Sequence, residues 1–193
     1  NDITIHNSQH PIPPIEDHLH KLRNAQFKSK LDLTQAYYSI PVAEESQLKT
    51  AFFALGKQYC YNRTPFGLKE APSMWNFLMA TILDGCQDFC IWYFDDLTIF
   101  SSSLDEHFRH LKTVFSRLRW GGQKIKMAKC QFLLGVTQPM PWLGFIITGN
   151  SVSADPAKTD AVLQLPIPTN VKQLQHFLGV ASALRKFIDK FSE

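Results

Sequence analysis

One stretch constrains the fold of this chain more than any other: the apolar and aromatic run 90–100, interrupted once by the adjacent acids Asp95 and Asp96. A short run rich in aromatic and β-branched residues predicts strands, and the acids within it predict the tip of a hairpin. Two touching carboxylates are costly to bury, so they need a solvated turn or a bound cation. The run alone is compatible with a plain Asp-Asp turn and with a metal site.

Side-chain alternation gives the two acids different prospects as ligands. Along an uninterrupted strand, Asp95 shares a face with Tyr93, and Asp96 shares one with Phe94. We therefore expect only one of them to reach a cation readily. We choose Asp95 as the primary ligand. We expect Asp96 to lie near the metal, where it helps to orient the ligands or adds to the electric field at the metal.

Length and composition are those of an ordinary globular protein. A chain of 193 residues can bury a core and should fold as one or two units. The formal charge of +3 is compatible with a nucleic-acid partner without establishing one. We find neither a signal peptide nor a transmembrane run and expect an intracellular protein. The start at Asn1 suggests a piece of something longer.

The order of periodic segments predicts an α+β fold. Residues 6–14 read as an extended arm, and a strand that ends in Asp32 alternates apolar residues with a charged face. Asp32 is the third acid. The other predicted elements are helices at 15–24, 71–85 and 103–121, paired strands at 49–53 and 58–62, and a second hairpin from 126–134 and 142–148. From Gly149 the pattern reads as purely helical, with a boundary at 149–153. Capping residues predict helix starts at Ser103, Asp155 and Asn170.

The histidine pair His107/His110 and the cysteines have simpler explanations than metal binding. His107 and His110 stand one helical turn apart, as metal ligands do, but a solvated helix face explains them better. The helix they belong to is expected to turn Phe108, Leu111, Phe115 and Leu118 inward. The four cysteines form no Cys-x-x-Cys pair and are expected to be reduced and largely buried. They are Cys60, Cys86, Cys90 and Cys130.

The three acids favour one kind of chemistry. If a central sheet brings Asp32 beside the tip of the acidic hairpin, the cluster suits two hard cations that hold phosphates for in-line displacement. Neither a Gly-x-x-x-x-Gly-Lys-Ser/Thr loop nor a Gly-x-Gly-x-x-Gly motif stands in the chain. Phosphoryl or nucleotidyl transfer at a polymerase-like site is therefore favoured over a P-loop enzyme.

At this point the residues carry a family resemblance. In order along the chain, the sequence resembles the motifs of reverse transcriptases from gypsy-type LTR retrotransposons and retroviruses. Six motifs in order are far more specific than the Tyr-x-Asp-Asp tetrapeptide alone. They are Lys30-Leu31-Asp32-Leu33, Thr50-Ala51-Phe52, 65–72 (Pro-Phe-Gly-Leu-Lys-Glu-Ala-Pro), Tyr93-Phe94-Asp95-Asp96, Trp142-Leu143-Gly144-Phe145 and Phe177-Leu178-Gly179.

The resemblance implies a right-hand polymerase: an antiparallel palm sheet with helices on one face, partial fingers and the helical start of a thumb. Residues 1–40 would be the N-terminal palm with its lead-in arm, and 41–70 part of the fingers. Residues 71–149 would complete the palm with the catalytic hairpin and the primer-grip hairpin, and 150–193 would begin the thumb.

The resemblance also implies roles for particular residues. Asp32 and Asp95 would hold two Mg²⁺ ions, replaceable by Mn²⁺, with the Leu33 carbonyl as a further ligand and Asp96 nearby. Lys126 falls near a lysine proposed to protonate the departing pyrophosphate. The incoming dNTP would pack on Tyr37, Phe66, Gly67 and Phe94. The end of the primer would be held by Trp142, Leu143 and Gly144.

The implied partners are an RNA or DNA template with its primer, dNTP, and the rest of a Pol polyprotein with upstream fingers, RNase H and integrase; no membrane is implied. The cytoplasm or a virus-like particle is the expected location. Lys172, Arg185, Lys186 and Lys190 would contact a duplex or simply face solvent.

Some features depart from the family pattern. Glu70 stands where Asn or Ser is usual, and Gly121-Gly122 and residues 139–141 are atypical, which suggests relaxed constraint near the primer grip. The expected basic fingers segment upstream is missing from this sequence. The alternative function is therefore a non-catalytic, truncated or domesticated relic that folds and at most binds nucleic acid.

Overall fold

We describe the protein from a computed structural model, which covers residues 14–182, 184–188 and 190–191. The arm predicted over residues 6–14 lies outside these ranges apart from Pro14. The fold is mixed α+β, as predicted. The helices are α1 (Ile15–Arg23), α2 (Glu44–Gln47), α3 (Ala71–Ile82), α4 (Leu104–Trp120), α5 (Pro156–Leu163) and α6 (Val171–Ser182). The strands are β1 (Phe27–Asp32), β2 (Phe52–Ala54), β3 (Lys57–Tyr59), β4 (Cys90–Tyr93), β5 (Asp96–Ser101), β6 (Gln131–Leu134), β7 (Met140–Trp142), β8 (Phe145–Thr148) and β9 (Ser151–Ala154).

A four-stranded antiparallel sheet of order β4-β5-β1-β6 forms the centre of the molecule. Strands β1 and β5 pair along their whole length, from Phe27 opposite Ser101 to Asp32 opposite Asp96. The acid that ends β1 therefore lies directly beside the acid that begins β5. This register brings the three predicted carboxylates to one end of the sheet.

The two faces of this sheet are covered differently. Helices α3 and α4 pack on one face through a core that includes Leu31, Leu97 and Trp75. The other face, which carries Ile91, packs on α1 and on a second antiparallel sheet of order β7-β8-β9. Helices cover one face, as predicted, and a small sheet with α1 covers the other.

This covering explains why the charged face of β1 is not solvated along its whole length. Lys28 is only 2% exposed, because its strand partners Phe100 and Leu134 belong to the covered face. Its Nζ donates a hydrogen bond to the Ala25 carbonyl at 2.9 Å, and burial lowers the pKa of its ammonium group. Lys28 therefore lies on the charged face predicted for β1, but this face is buried at its position.

The inward stripe of α4 is shifted from the predicted one. His107 and Val114 face the core beside the predicted Leu111 and Leu118, whereas Phe108 is 52% exposed. Phe115 is also exposed. His107 is fully buried, with Nε2 2.7 Å from Ser29 Oγ and Nδ1 2.8 Å from Ser101 Oγ. The prediction that His107 lies on a solvated helix face is therefore wrong. Serine hydroxyls from β1 and β5 take the hydrogen-bonding place that water has at a solvated histidine.

Four side chains form one polar cluster, the His107 network: His107, His110, Ser29 and Ser101. Ser101 Oγ also lies 2.8 Å from His110 Nδ1, and Ser29 Oγ accepts a hydrogen bond from the Leu133 N–H. Burial lowers the pKa of His107 to about 4, with a smaller contribution from His110. The network joins α4 to three strands of the central sheet.

The segment expected to be part of the fingers contains a short hairpin of β2 and β3. The strands are shorter than predicted, because residues 48–50 form a 3₁₀ turn and pairing begins at Phe52. Phe53 is 80% exposed and Leu55 95% exposed.

Cys60 follows β3 and is exposed, so the prediction that it is buried is wrong, whereas Cys86 and Cys90 are buried and Cys130 is half-buried. All four thiols are free.

Strand pairing after α4 differs from the prediction of a single second hairpin. Residues 131–134 form β6 and pair with β1 in the central sheet, whereas 145–148 form β8 and pair with β7 and β9. The pattern is also not purely helical from Gly149. Gly149 and Asn150 form a two-residue turn that leads into β9.

The C-terminal helices begin where capping residues predict. Asp155 accepts a hydrogen bond from the Ala157 N–H at the start of α5. Asn170 accepts one from the Gln173 N–H at the start of α6, which confirms the predicted cap. Lys186, near the end of the chain, pairs with Glu16 of α1 instead of standing free in solvent. None of the helices in the described ranges is long and apolar enough to cross a membrane.

The glycine pair after α4 has a structural reason. A Cβ at Gly121 would lie 2.4 Å from Cδ1 of Ile82 in α3, so the bare backbone allows the two helices to approach. Gly122 has a φ of +66°, which side chains rarely adopt. The interpretation of this pair as a sign of relaxed constraint is therefore not supported.

Candidate active site

Asp95 and Asp96 lie at the tip of the hairpin formed by β4 and β5, which we call the acid hairpin, and Asp32 lies beside this tip at the end of β1. Tyr93 pairs with Asp96, so Phe94 and Asp95 form a two-residue turn. Phe94 has a φ of +51°, which is uncommon for a bulky residue. Its carbonyl accepts a hydrogen bond from Trp75 Nε1 at 2.8 Å, and the Leu33 N–H donates one to the Asp95 carbonyl at 3.0 Å.

The turn changes which acids share a face. Because Tyr93 lies opposite Asp96, these two side chains share a face, and so do the paired Asp32 and Asp96. The assignment that joined Asp95 with Tyr93 is wrong, since alternation does not continue through a turn. Asp95 instead occupies the exposed second position of the turn.

Two of the three carboxylates have a lysine partner. Lys129 Nζ lies 3.6 Å from Asp32 Oδ2, and Lys30 Nζ lies 3.1 Å from Asp96 Oδ2. Partial desolvation and the charges of Asp32 and Asp96 raise the pKa of Asp95, and Lys129 opposes this only in part. Negative charge is therefore least compensated at Asp95.

This donor set fits a divalent cation in its chemistry. Carboxylate oxygens are the ligands of hard cations, and a cation would relieve the repulsion that raises the pKa of Asp95. In the described ranges, no three His, Cys, Asp or Glu side chains are already arranged to hold one metal ion. Asp32 and Asp96 are instead engaged by lysines.

The aromatic residues expected at the nucleotide site lie together. The ring of Tyr37 meets the ring of Phe66 edge to face, with 5.4 Å between centroids. The ring of Tyr38 meets the same Phe66 ring edge to face, with 5.5 Å between centroids. Tyr37 packs on the core, and desolvation together with the charge of Asp95 raises its pKa. Tyr38 is more exposed, and of these two tyrosines it is Tyr37 that contacts the core. Gly67 follows at a φ of +90°.

The structure brings Lys129, not the ammonium of Lys126, to the acids. The backbone N–H of Lys126 donates to the Asp32 carbonyl at 2.9 Å, and its side chain is exposed. Sequence reasoning gave Lys129 no role and Lys30 only a place on the face of Asp32. The signal for Lys30 was its position two residues before Asp32, since alternate strand residues share a face.

Residues 142–144 belong to the hairpin of β7 and β8, which we call the primer-grip hairpin after the role predicted for it. Trp142 is buried and pairs with Phe145 across a turn of Leu143 and Gly144. Leu143 and Gly144 have φ values of +50° and +84°. The Trp142 ring contacts Tyr93 of the acid hairpin at 6.5 Å between centroids, so the two hairpins touch through aromatic side chains.

An antiparallel sheet with helices on one face and three acids at adjacent strand ends defines a polymerase-type palm. The family profile described as "Reverse transcriptase (RNA-dependent DNA polymerase)" matches residues 2–147. The chain belongs to the reverse transcriptase family.

Relatives from retrotransposons match along the chain. It is 37% identical over 194 aligned residues to the retrovirus-related Pol polyprotein from transposon 297 of Drosophila melanogaster, a match that covers all of this chain and 18% of that polyprotein. It is 34% identical to the corresponding protein from transposon gypsy of the same organism, over 95% of this chain and 18% of the relative. The chain thus spans less than a fifth of these polyproteins.

Solved structures with the same fold come from foamy virus. The protease-reverse transcriptase in complex with double-stranded DNA matches with a TM-score of 0.85 and 26% identity, over 95% of this chain and 32% of that one. The same viral protein in complex with an RNA/DNA hybrid matches with a TM-score of 0.76 and 26% identity, over 93% of this chain and 24% of that one.

Proposed function

We propose that this chain is the polymerase module of a retroelement Pol protein and transfers dNTP units to a primer 3′-hydroxyl on an RNA or DNA template. The observation that carries the proposal is the meeting of Asp32, Asp95 and Asp96 at one end of the central sheet. Membership of the reverse transcriptase family supports it. The foamy virus relatives, bound to duplex DNA and to an RNA/DNA hybrid, support the choice of nucleic acid.

Asp32 and Asp95 are the proposed ligands for two Mg²⁺ ions, or Mn²⁺ in their place, with the Leu33 carbonyl as a further donor. When bound, such ions supply a lowered pKa at the attacking hydroxyl and charge neutralisation at the phosphates. Asp95 suits this role because its charge is the least compensated of the three. Asp96 stays near the site and is held by Lys30.

The remaining residues would bind and orient the substrates. Tyr37 and Phe66 form an aromatic wall beside the acids, where the sugar and base of an incoming nucleotide would pack. Gly67 and Phe94 would complete this surface. Lys129 is better placed than Lys126 to give a proton to departing pyrophosphate, because its ammonium group lies 3.6 Å from Asp32.

The primer-grip hairpin would hold the primer end close to the acids. Trp142 fixes the hairpin in the core, and the turn at Leu143 and Gly144 offers backbone to a phosphate. On this proposal, residues 1–40 and 71–149 form the palm, 41–70 part of the fingers and 150–193 the start of the thumb. Upstream fingers, RNase H and integrase would be supplied by other parts of a Pol polyprotein.

Primer extension on poly(rA)/oligo(dT) with Mg²⁺ or Mn²⁺ tests the proposal. The chain should add dTMP, and Asp95→Asn should abolish the addition without unfolding the protein. A folded wild-type chain that binds the duplex but adds nothing, with either cation, would contradict it and favour a non-catalytic relic.

A further inference from the structure

Lys30 of β1 lies between the acid hairpin and the primer-grip hairpin. Its Nζ lies 3.1 Å from Asp96 Oδ2 and donates to the Pro141 carbonyl at 3.3 Å. Pro141 belongs to β7, and Asp96 begins β5. One ammonium group therefore contacts both hairpins, which belong to different sheets.

The contact between Lys30 and Asp96 is partly shielded from water. The side chains of Lys30 and Asp96 are 19% and 24% exposed, so water screens their attraction less than at an open surface. A hydrogen bond with a charged partner is roughly twice as strong as a neutral one. An ammonium group has three donors, so it can serve two acceptors at once.

The acceptor on the primer-grip hairpin is suited to a cation. Strand β7 is an edge strand of its sheet, because the sheet order is β7-β8-β9. Proline has no backbone N–H, so at Pro141 the strand offers a carbonyl and no donor. A cation beside Pro141 therefore meets a backbone acceptor and no backbone donor from that residue.

We propose that Lys30 is a positioning residue: it sets the spacing between the primer-grip hairpin and the carboxylates of the acid hairpin. It does this by holding Asp96 and the Pro141 carbonyl on one ammonium group. The catalytic consequence, placement of the primer 3′-hydroxyl beside Asp32 and Asp95, rests on the proposed function. The spacing of the hairpins does not.

Amide hydrogen exchange of residues 140–148 tests the spacing without any substrate. Lys30→Met keeps the length of the side chain and removes its charge, whereas Lys30→Arg keeps the charge. We expect Lys30→Met to speed exchange of this segment about tenfold, the loss of one charge-assisted hydrogen bond, and Lys30→Arg to restore most of the protection. Lys21→Met is the matched control, because Lys21 also donates to a backbone carbonyl, that of Gln87 at 3.0 Å, and Gln87 belongs to neither hairpin.

Exchange in Lys30→Met at the wild-type rate would overturn the inference. A loss of protection that Lys30→Arg shares in full would also overturn it, because the effect would then belong to packing and not to charge.

Primer extension gives the catalytic readout. Lys30→Met should lower kcat about tenfold with the KM for dNTP changed less than about twofold, since a misplaced primer end affects the reacting geometry more than nucleotide binding. Unchanged kcat would refute the catalytic consequence. If the wild-type chain itself extends no primer, the proposed function fails, and the exchange experiment still decides the positioning role of Lys30.

Discussion

The acid hairpin and the primer-grip hairpin have similar backbones and different supports. Each has a two-residue turn whose first residue is bulky and has a positive φ, +51° at Phe94 and +50° at Leu143. The primer-grip hairpin is held by apolar burial of Trp142 and Phe145, with one polar contact from Lys30 to the Pro141 carbonyl. The acid hairpin has an apolar core as well, but its charges are also offset by Lys30 at Asp96 and by the charge of Lys129 near Asp95, and the His107 network binds the far end of β5. A turn that presents charge has more polar partners than a neutral turn.

The largest difference between the hairpins should appear when charge is removed from the acids. Asp32→Asn and Asp95→Asn should each lower primer extension on the order of a thousandfold or more, because a cation ligand is lost. Both should stay folded, since each change removes one charge from a crowded cluster of acids, and at Asp95 the raised pKa shows that the charge is unfavourable. Thermal unfolding beside the extension assay checks both statements.

Asp96→Asn should be milder, because Lys30 already engages Asp96. Near wild-type rates in Asp32→Asn or Asp95→Asn would disprove the assignment of the cation ligands.

The His107 network makes the acid hairpin the more acid-sensitive of the two. The pKa of His107 is lowered from 6.5 in the unfolded chain to about 4 in the folded protein. The neutral, buried His107 therefore contributes fully to stability above pH 6.5, and this contribution is lost below pH 6.5, where the imidazole takes up a proton in the unfolded chain. The free energy of unfolding should fall by up to about 3 kcal/mol between pH 6.5 and pH 4. Denaturant unfolding across this range measures the loss.

His107→Asn should remove most of this pH dependence, whereas the same change at the exposed His20 should leave it in place. A pH profile that is identical in wild type and His107→Asn would show that the network is not the source.

The aromatic wall beside the acid hairpin should control the choice of sugar. Tyr37→Val should raise ribonucleotide incorporation relative to deoxynucleotide by about 10- to 100-fold, because it removes a steric clash with the 2′-hydroxyl. The ratio of kcat/KM for rNTP and dNTP measures this. Tyr38→Val is the matched control, since Tyr38 contacts the same Phe66 ring but is more exposed. An unchanged ratio in active Tyr37→Val would leave Tyr37 with a packing role alone.

The smallest effect should come from the turn of the primer-grip hairpin. Gly144 has a φ of +84°, and a Cβ there would meet only Lys158 at ordinary contact distance. Gly144→Ala should therefore cost about 1 kcal/mol of stability from backbone strain and not from overlap. Thermal unfolding of Gly144→Ala beside Gly135→Ala, where φ is not positive, measures the difference. Equal losses would exclude strain at this turn.

Sequence patterns predicted the parts of this molecule that depend on local signals. The acids, the caps at Asn170 and Ser103 and the order of elements all follow from residues close together in the chain. Patterns failed where distant segments decide. The burial of His107 depends on hydroxyls of β1 and β5, and the separation of β6 from β8 depends on which strand each one pairs with.

The face of Asp96 illustrates the same limit within a single motif. Alternation was extended through Phe94 and Asp95, where the chain in fact turns, so Asp96 was placed on the wrong face. The turn lies at Phe94 and Asp95 because Tyr93 of β4 pairs with Asp96 of β5, and the pairing of β5 with β1 places Asp32 opposite Asp96. Pairing between strands is information that a local alternation pattern does not contain.

Single-turnover extension measured together with duplex affinity tests the division of labour between the hairpins most directly. Asp95→Asn should abolish the single-turnover rate while the Kd for primer-template stays within about threefold of wild type, since the acids act on the reacting phosphate and not on duplex binding. Gly144→Ala should retain a measurable rate and weaken the hold on the primer end. Retention of the wild-type rate by Asp95→Asn would contradict the account.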